Sequence, residues 1–252
     1  MMPRMSNPMA ARKLRKLSTP GGPSIWRTEY WSATIWIIVI TCVVSLIDMF
    51  SMGRLSQFGA LSIDGIRHFY LWQLLTYQLL HAGPIHLLFN MLWLYMLGPI
   101  IEPLIGKRRF VLLYVLSGIV GGAIFIMTQK FAIAGVLEEA HLVGASASIL
   151  GVMAGAVCVA PRMSIQFWFP PVSIPLWVIF IAAIVMAMLA IRVSGMNAGG
   201  EAAHLGGAAA GLIGFTFRSK LNLPAFGAKR KKSKFWNPAD PDSKFIRDDF
   251  QD

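Results

Sequence analysis

Charge is scarce in this sequence. Charged residues make up only 14% of its 252 residues, against roughly 25% in an average soluble domain. Hydrophobic residues make up 56%, and the mean hydropathy is +0.59. A soluble globule cannot hide that much apolar surface, and a disordered chain does not carry it, so both are excluded and a membrane protein is indicated. Cysteine is also scarce: Cys42 and Cys158 both fall inside apolar runs, which excludes a disulfide framework and reads as small buried hydrophobes. Residues 1–30 hold no apolar run, which argues against an ordinary cleavable signal peptide and makes the first hydrophobic segment an uncleaved anchor. Period-two alternation is missing from the apolar runs, which argues against a barrel. Glu138 and Glu139 have no histidine at metal-ligand spacing, so no metal site is expected.

What is present is six apolar runs. A transmembrane helix needs about 20 mostly apolar residues. The runs cover about 31–51, 85–102, 110–129, 146–160, 173–191 and 202–217. The fold class expected is an all-α polytopic membrane protein of six transmembrane helices, spanning 31–218. A basic, disordered segment (1–30) precedes it, and a basic then acidic tail (219–252) follows, with the run Lys229-Arg230-Lys231-Lys232. The net charge of +11 supports this organisation. If the N-terminus is cytoplasmic, 19 of the 23 Lys and Arg fall in inside segments. Six helices with both ends inside satisfy that bias. Basic residues placed this way mark topology and anionic lipid, so no nucleic-acid partner is expected.

The first outside segment, 52–84, is long yet carries Phe58, Leu61, Ile63, Ile66, Phe69, Tyr70, Leu71 and Trp72. It is expected to lie in the interface, with its aromatic residues at headgroup level.

Polar side chains within a bilayer are costly and mark candidate sites. The second, fourth and sixth runs all enter from outside, so their first turns share one depth. Those turns hold His86 and Asn90, Ser146, and His204. His86 and Asn90 are spaced i, i+4 on one helix face. The fourth run is short: at about 1.5 Å per residue it spans roughly 22 Å of a core about 30 Å thick. Its N-terminus must therefore start below the outer surface, where irregular backbone is tolerated only against protein or a water-filled cavity. A serine at that start meets free N–H groups and the positive end of a helix dipole; alternatively it is only an N-cap. Gly207 and Gly211 form a small-xxx-small face in the sixth run, and Gly151 and Gly155 form one in the fourth. Packing these faces together would bring His204 beside Ser146. Glu102, followed by Lys107, Arg108 and Arg109, reads as part of a structural network at the cytoplasmic end. His81 and His141 read as structural residues near the cavity mouth.

Taken in order, these residues resemble the rhomboid intramembrane serine proteases. The resemblance runs through Trp72-Gln-Leu-Leu-Thr-Tyr77, His81-Ala-Gly-Pro-Ile-His86-Leu-Leu-Phe-Asn90, Leu97-Gly98 with Glu102, Gly144-Ala-Ser146-Ala, and Ala203-His204-Leu-Gly-Gly207 with Gly211. It implies that Ser146 is a nucleophile and His204 its general base, a dyad without an acid. It implies an oxyanion hole from His86, Asn90 and the Ser146 backbone N–H, and no cofactor. The implied partners are single-span or other transmembrane protein substrates, with membrane lipid around them. The compact form resembles bacterial members, which implies the inner (plasma) membrane with the active site opening to the outer face. Two positions depart from the usual pattern. Ala147 stands where glycine is usual and adds a methyl beside the nucleophile. Leu150 stands where an aromatic residue often packs on the catalytic histidine, so His204 is expected to be held less firmly. The alternative is a non-catalytic rhomboid-like protein that binds or escorts transmembrane helices. A transporter would want internal repeats and mid-membrane charge.

Overall fold

The first helix among the described residues, α1 (Ala33–Phe50), is inside out relative to a helix of a soluble protein. Its buried residues are Thr34, Thr41, Ser45 and Asp48, at helical spacing along one stripe. Its exposed face carries Trp36, Val39, Ile40, Val43, Leu46 and Ile47. Such a helix has its apolar side for lipid and its polar side for hydrogen bonds with protein. The computed structural model describes residues 32–131, 140–167, 171–193 and 198–220. The two terminal segments and the pair Glu138 and Glu139 lie outside the described residues.

The start of α1 is tied to a distant carboxylate. Glu102 accepts hydrogen bonds from Ala33 N at 2.8 Å, Thr34 N at 3.0 Å and Thr34 Oγ1 at 2.8 Å. The first N–H groups of a helix lack intrahelical partners, and a carboxylate there also meets the positive helix end. The end of α1 is tied through Asp48, which accepts from Ser56 N at 2.9 Å and from the Ser56 hydroxyl.

Residues 52–84 form three short helices, α2 (Arg54–Gly59), α3 (Ile63–Arg67) and α4 (Gln73–Thr76), then a 3-10 turn at Tyr77–Leu79. Phe58, Phe69, Leu71 and Trp72 are exposed, and the Tyr70 and Trp72 rings stack with centroids 4.7 Å apart. Ile63 and Ile66 are half-buried. Leu61 is fully buried and joins Leu142 through an antiparallel bridge, with backbone bonds of 3.0 and 2.8 Å. The segment is therefore fastened to the chain that leads into the short helix.

Two long helices follow, α5 (Pro84–Ile105) and α6 (Lys107–Phe131). Gly106, at φ +87°, makes the sharp join. The next helix, α7 (Ser146–Val159), has 14 residues. A hairpin of β1 (Ser164–Gln166) and β2 (Ser173–Pro175), paired Ile165 to Ile174, leads to α8 (Leu176–Val193). Residues 173–175 are thus strand, and α8 starts only at Leu176. The last helix among the described residues is α9 (Ala198–Lys220). Among the described residues, three helical stretches are long and apolar enough to cross a membrane: Ala33–Phe50, Pro84–Ile105 and Lys107–Gln129. Ser146–Val159 and Leu176–Arg192 are shorter apolar helices.

The short helix α7 sits at the centre. Its residues from Ala147 to Ala156 are buried with the single exception of half-buried Leu150. It packs against Leu94, Leu97 and Ile101 of α5, Phe110 and Tyr114 of α6, and Leu176 of α8. Small residues set its distance from α9. A Cβ built at Gly207 would lie 2.7 Å from the Ala147 carbonyl carbon, and one at Gly211 would lie 2.8 Å from Gly151 Cα. Backbones approach this closely only where side chains are absent.

Candidate active site

The approach of α9 to α7 determines what the first turns of both helices can do. Ser146 is the first residue of α7, and Ala145 is the N-cap, with no side-chain capping bond. The Ser146 hydroxyl is therefore not a helix cap. Its Oγ lies 2.6 Å from Nε2 of His204, one turn up α9 from Gly207. The chain before Ser146 is held by the Leu61–Leu142 bridge and by Gly144 N, which donates to Tyr77 O at 2.9 Å. Tyr77 is buried, and its hydroxyl donates to Gly118 O at 2.7 Å. Ser148, one turn into α7, donates to Gln78 Oε1 at 2.9 Å. The short elements of residues 52–84 thus position the serine from outside the helix bundle.

Ala147 does not crowd the Ser146 hydroxyl. Its methyl turns toward α6, where a Cβ at Gly121 would lie 2.7 Å away. The methyl occupies space that the absent side chain of Gly121 leaves open. Leu150 is half-buried and packs against the main core.

His86 stands in the first turn of α5. Ala82 N donates to its Nδ1 at 3.4 Å, so the ring proton belongs on Nε2. A Cβ at Gly144 would lie 3.0 Å from that Nε2 and 3.8 Å from Ser146 Oγ. Gly144, at φ +125°, therefore leaves open a spot that both His86 and Ser146 border. Asn90 is buried, and its Nδ2 donates to His86 O at 2.9 Å. The amide nitrogen has a second proton to give.

His81, outside the long helices, is buried and packs edge-on against His86, with ring centroids 5.0 Å apart. Ser45 Oγ donates to Leu79 O at 2.8 Å, so Nδ1–H of His81, 3.0 Å away, donates to the Ser45 oxygen. Burial, with the neighbouring His86 adding to it, pushes the His81 imidazole down to about 4. It is neutral at physiological pH. His141 is exposed. Glu102 is placed far along α5, bonded to the start of α1, and takes no part in this site.

One residue at the site had no role in the sequence reading. Glu201 Oε2 lies 3.0 Å from His204 Nδ1, three residues away on α9. The signal was the Glu-x-x-His spacing in a first helical turn, which puts both on one face. Among the described residues, no group of three or more His, Cys, Asp or Glu is placed to hold a metal ion.

The arrangement is therefore a hydroxyl against an imidazole, beside an N–H donor and a free helix N-terminus. That set can attack a carbonyl and hold the oxyanion that results. Comparison with known proteins points the same way. A family model for the rhomboid domain matches residues 68–220. The chain is 42% identical over 80 residues to the putative rhomboid protease YdcA of Bacillus subtilis, covering 32% of this chain and 37% of that protein. It is 30% identical over 99 residues to the rhomboid protease GlpG of Salmonella typhi and to that of Salmonella paratyphi A, covering 38% of this chain and 35% of each. The chain thus spans little more than a third of the length of the relatives it matches.

Proposed function

The chain belongs to the rhomboid family, and on that premise we propose that it is an intramembrane serine endopeptidase. It is an integral membrane protein, and the named relatives are proteases. The observation that carries the reading is the 2.6 Å contact between Ser146 Oγ and His204 Nε2. Ser146 attacks the scissile carbonyl and His204 takes its proton at Nε2. The tetrahedral oxygen is met by His86 Nε2–H, the second Asn90 amide proton and the Ser146 backbone N–H. Removing one such donor typically lowers the rate about 10²–10³-fold. His204 then protonates the leaving amine, and water hydrolyses the acyl-enzyme.

The substrates are transmembrane segments whose helices unwind readily near the outer end, since a stable helix keeps its amides bonded. Six spans with both ends cytoplasmic fit the inside bias of 19 of the 23 Lys and Arg. A bacterial plasma membrane fits the bacterial relatives, with the site at the outer face. Impermeant labelling of single cysteines placed at each terminus tests the topology: reaction in intact cells would contradict it. The activity is tested by reconstituting the full chain with a single-span substrate. The wild type cuts and Ser146→Ala does not; equal cleavage by both removes the proposal.

A further inference from the structure

We propose that Glu201 is a positioning residue for His204, so that the site works as a Ser–His–Glu chain of hydrogen bonds; the inference rests on the protease reading above. Three observations carry it. Glu201 Oε2 lies 3.0 Å from His204 Nδ1, while Nε2 of the same ring lies 2.6 Å from Ser146 Oγ. The three side chains therefore form one line through the imidazole. An ionised carboxylate can only accept, so Nδ1 carries the ring proton. The Nε2 lone pair is then free to accept from the serine hydroxyl, the tautomer a general base needs. Finally, Leu150 is half-buried against the main core and offers no aromatic face to hold the ring. The carboxylate supplies by hydrogen bonding the orientation that Leu150 does not supply by stacking.

The proton count is simple. The Ser146 Oγ–carbon bond forms, the carbonyl electron pair moves to oxygen, and the serine proton goes to Nε2. Nδ1 keeps its proton, and the carboxylate gains none. The positive charge that appears on the imidazole faces Glu201 across the 3.0 Å contact. The competing role for Glu201 is an acid in the first turn of α9, which would stabilise the helix N-terminus and nothing else. That role affects folding and not the chemical step.

The size of the effect follows from exposure. Replacing the buried acid of a soluble triad by its amide costs about 10⁴ in kcat. Here the side chains of His204 and Glu201 remain 26% and 21% exposed, so water partly replaces the carboxylate. The expected loss is roughly 10- to 100-fold. The experiment uses the full chain in detergent, with active sites counted by fluorophosphonate labelling and folding followed by thermal melts. Glu201→Gln lowers kcat per active site by that factor, with KM within about twofold. It slows fluorophosphonate acylation in parallel and loses the low-field imidazole N–H proton resonance. Glu201→Asp retains charge and recovers more rate than Gln. If Glu201→Gln keeps the wild-type kcat per active site while Ser146→Ala is dead, the inference fails and the protease reading stands. Cleavage that survives in Ser146→Ala removes both.

Discussion

Replacing Gly207 by alanine tests the geometry from a distance, since Gly207 touches no reacting atom. The new Cβ would lie 2.7 Å from the Ala147 carbonyl carbon and 3.0 Å from its Cα, and closer still to its carbonyl oxygen. These are backbone atoms of α7 and have no rotamer to escape into. Carbon atoms pack at about 3.5–4.0 Å, so α9 must retreat by roughly 1 Å. His204 sits one turn before Gly207 and retreats with it, stretching the 2.6 Å contact with Ser146 beyond hydrogen-bond reach. A misplacement of about 1 Å at a reacting pair can cost 10²-fold in rate. Overpacking of this kind typically costs about 1–3 kcal/mol. The assay is substrate cleavage per folded molecule, read beside a thermal melt. The control is Gly214→Ala on the same helix, where a new Cβ meets nothing within 4 Å. Gly207→Ala is expected to be about 100-fold slower and Gly214→Ala unchanged. Wild-type cleavage by Gly207→Ala would refute the claim that this glycine sets the serine–histidine distance.

Glu102→Ala removes three hydrogen bonds at the start of α1, two of them buried, and is expected to destabilise by about 2–4 kcal/mol, read by unfolding in mixed micelles; the rate per folded molecule stays near wild type. His86→Ala is expected to lower kcat about 10²-fold and to cost more than Asn90→Ala, because Asn90 Nδ2 is already engaged by His86 O while His86 Nε2–H is directed at the open spot. Equal losses from the two variants would contradict that assignment of donors. His81 has a folded value of about 4, below its ordinary 6.5, so the folded state resists its protonation. Its contribution to stability is complete above pH 6.5 and is lost as pH falls through about 4. Melting temperatures of wild type should fall over that window more steeply than those of His81→Gln; parallel curves would contradict the account.

Much of this molecule was legible because lipid simplifies the code. Long apolar runs leave few polar residues, so His86, Asn90, Ser146 and His204 stood out against their background. The glycines were legible for the same reason: close helix contact in lipid needs small residues, and Gly207 and Gly211 meet α7 as that rule suggests. Other features were not legible. The inward stripe of Thr34, Thr41, Ser45 and Asp48 is hidden in a run that reads as uniformly apolar, because only the partner helix reveals which face is turned inward. Leu61 looked like its exposed neighbours Phe58 and Phe69, and only the bridge to Leu142 sets it apart. The methyl of Ala147 looked like an obstacle, yet the space at Gly121 that receives it lies 26 positions earlier in the chain. Glu201 stood in plain view beside His204. Family resemblance implies a dyad, which gives the carboxylate no role.

The proposed protease depends on Ser146 acting as a nucleophile activated by His204. This is tested most directly by treating the purified full chain with a fluorophosphonate and locating the adduct by mass spectrometry. One adduct per molecule is expected, on Ser146, absent from Ser146→Ala and formed far more slowly in His204→Ala. A cleaving protein that is labelled at another residue, or that labels at the wild-type rate without His204, would contradict it.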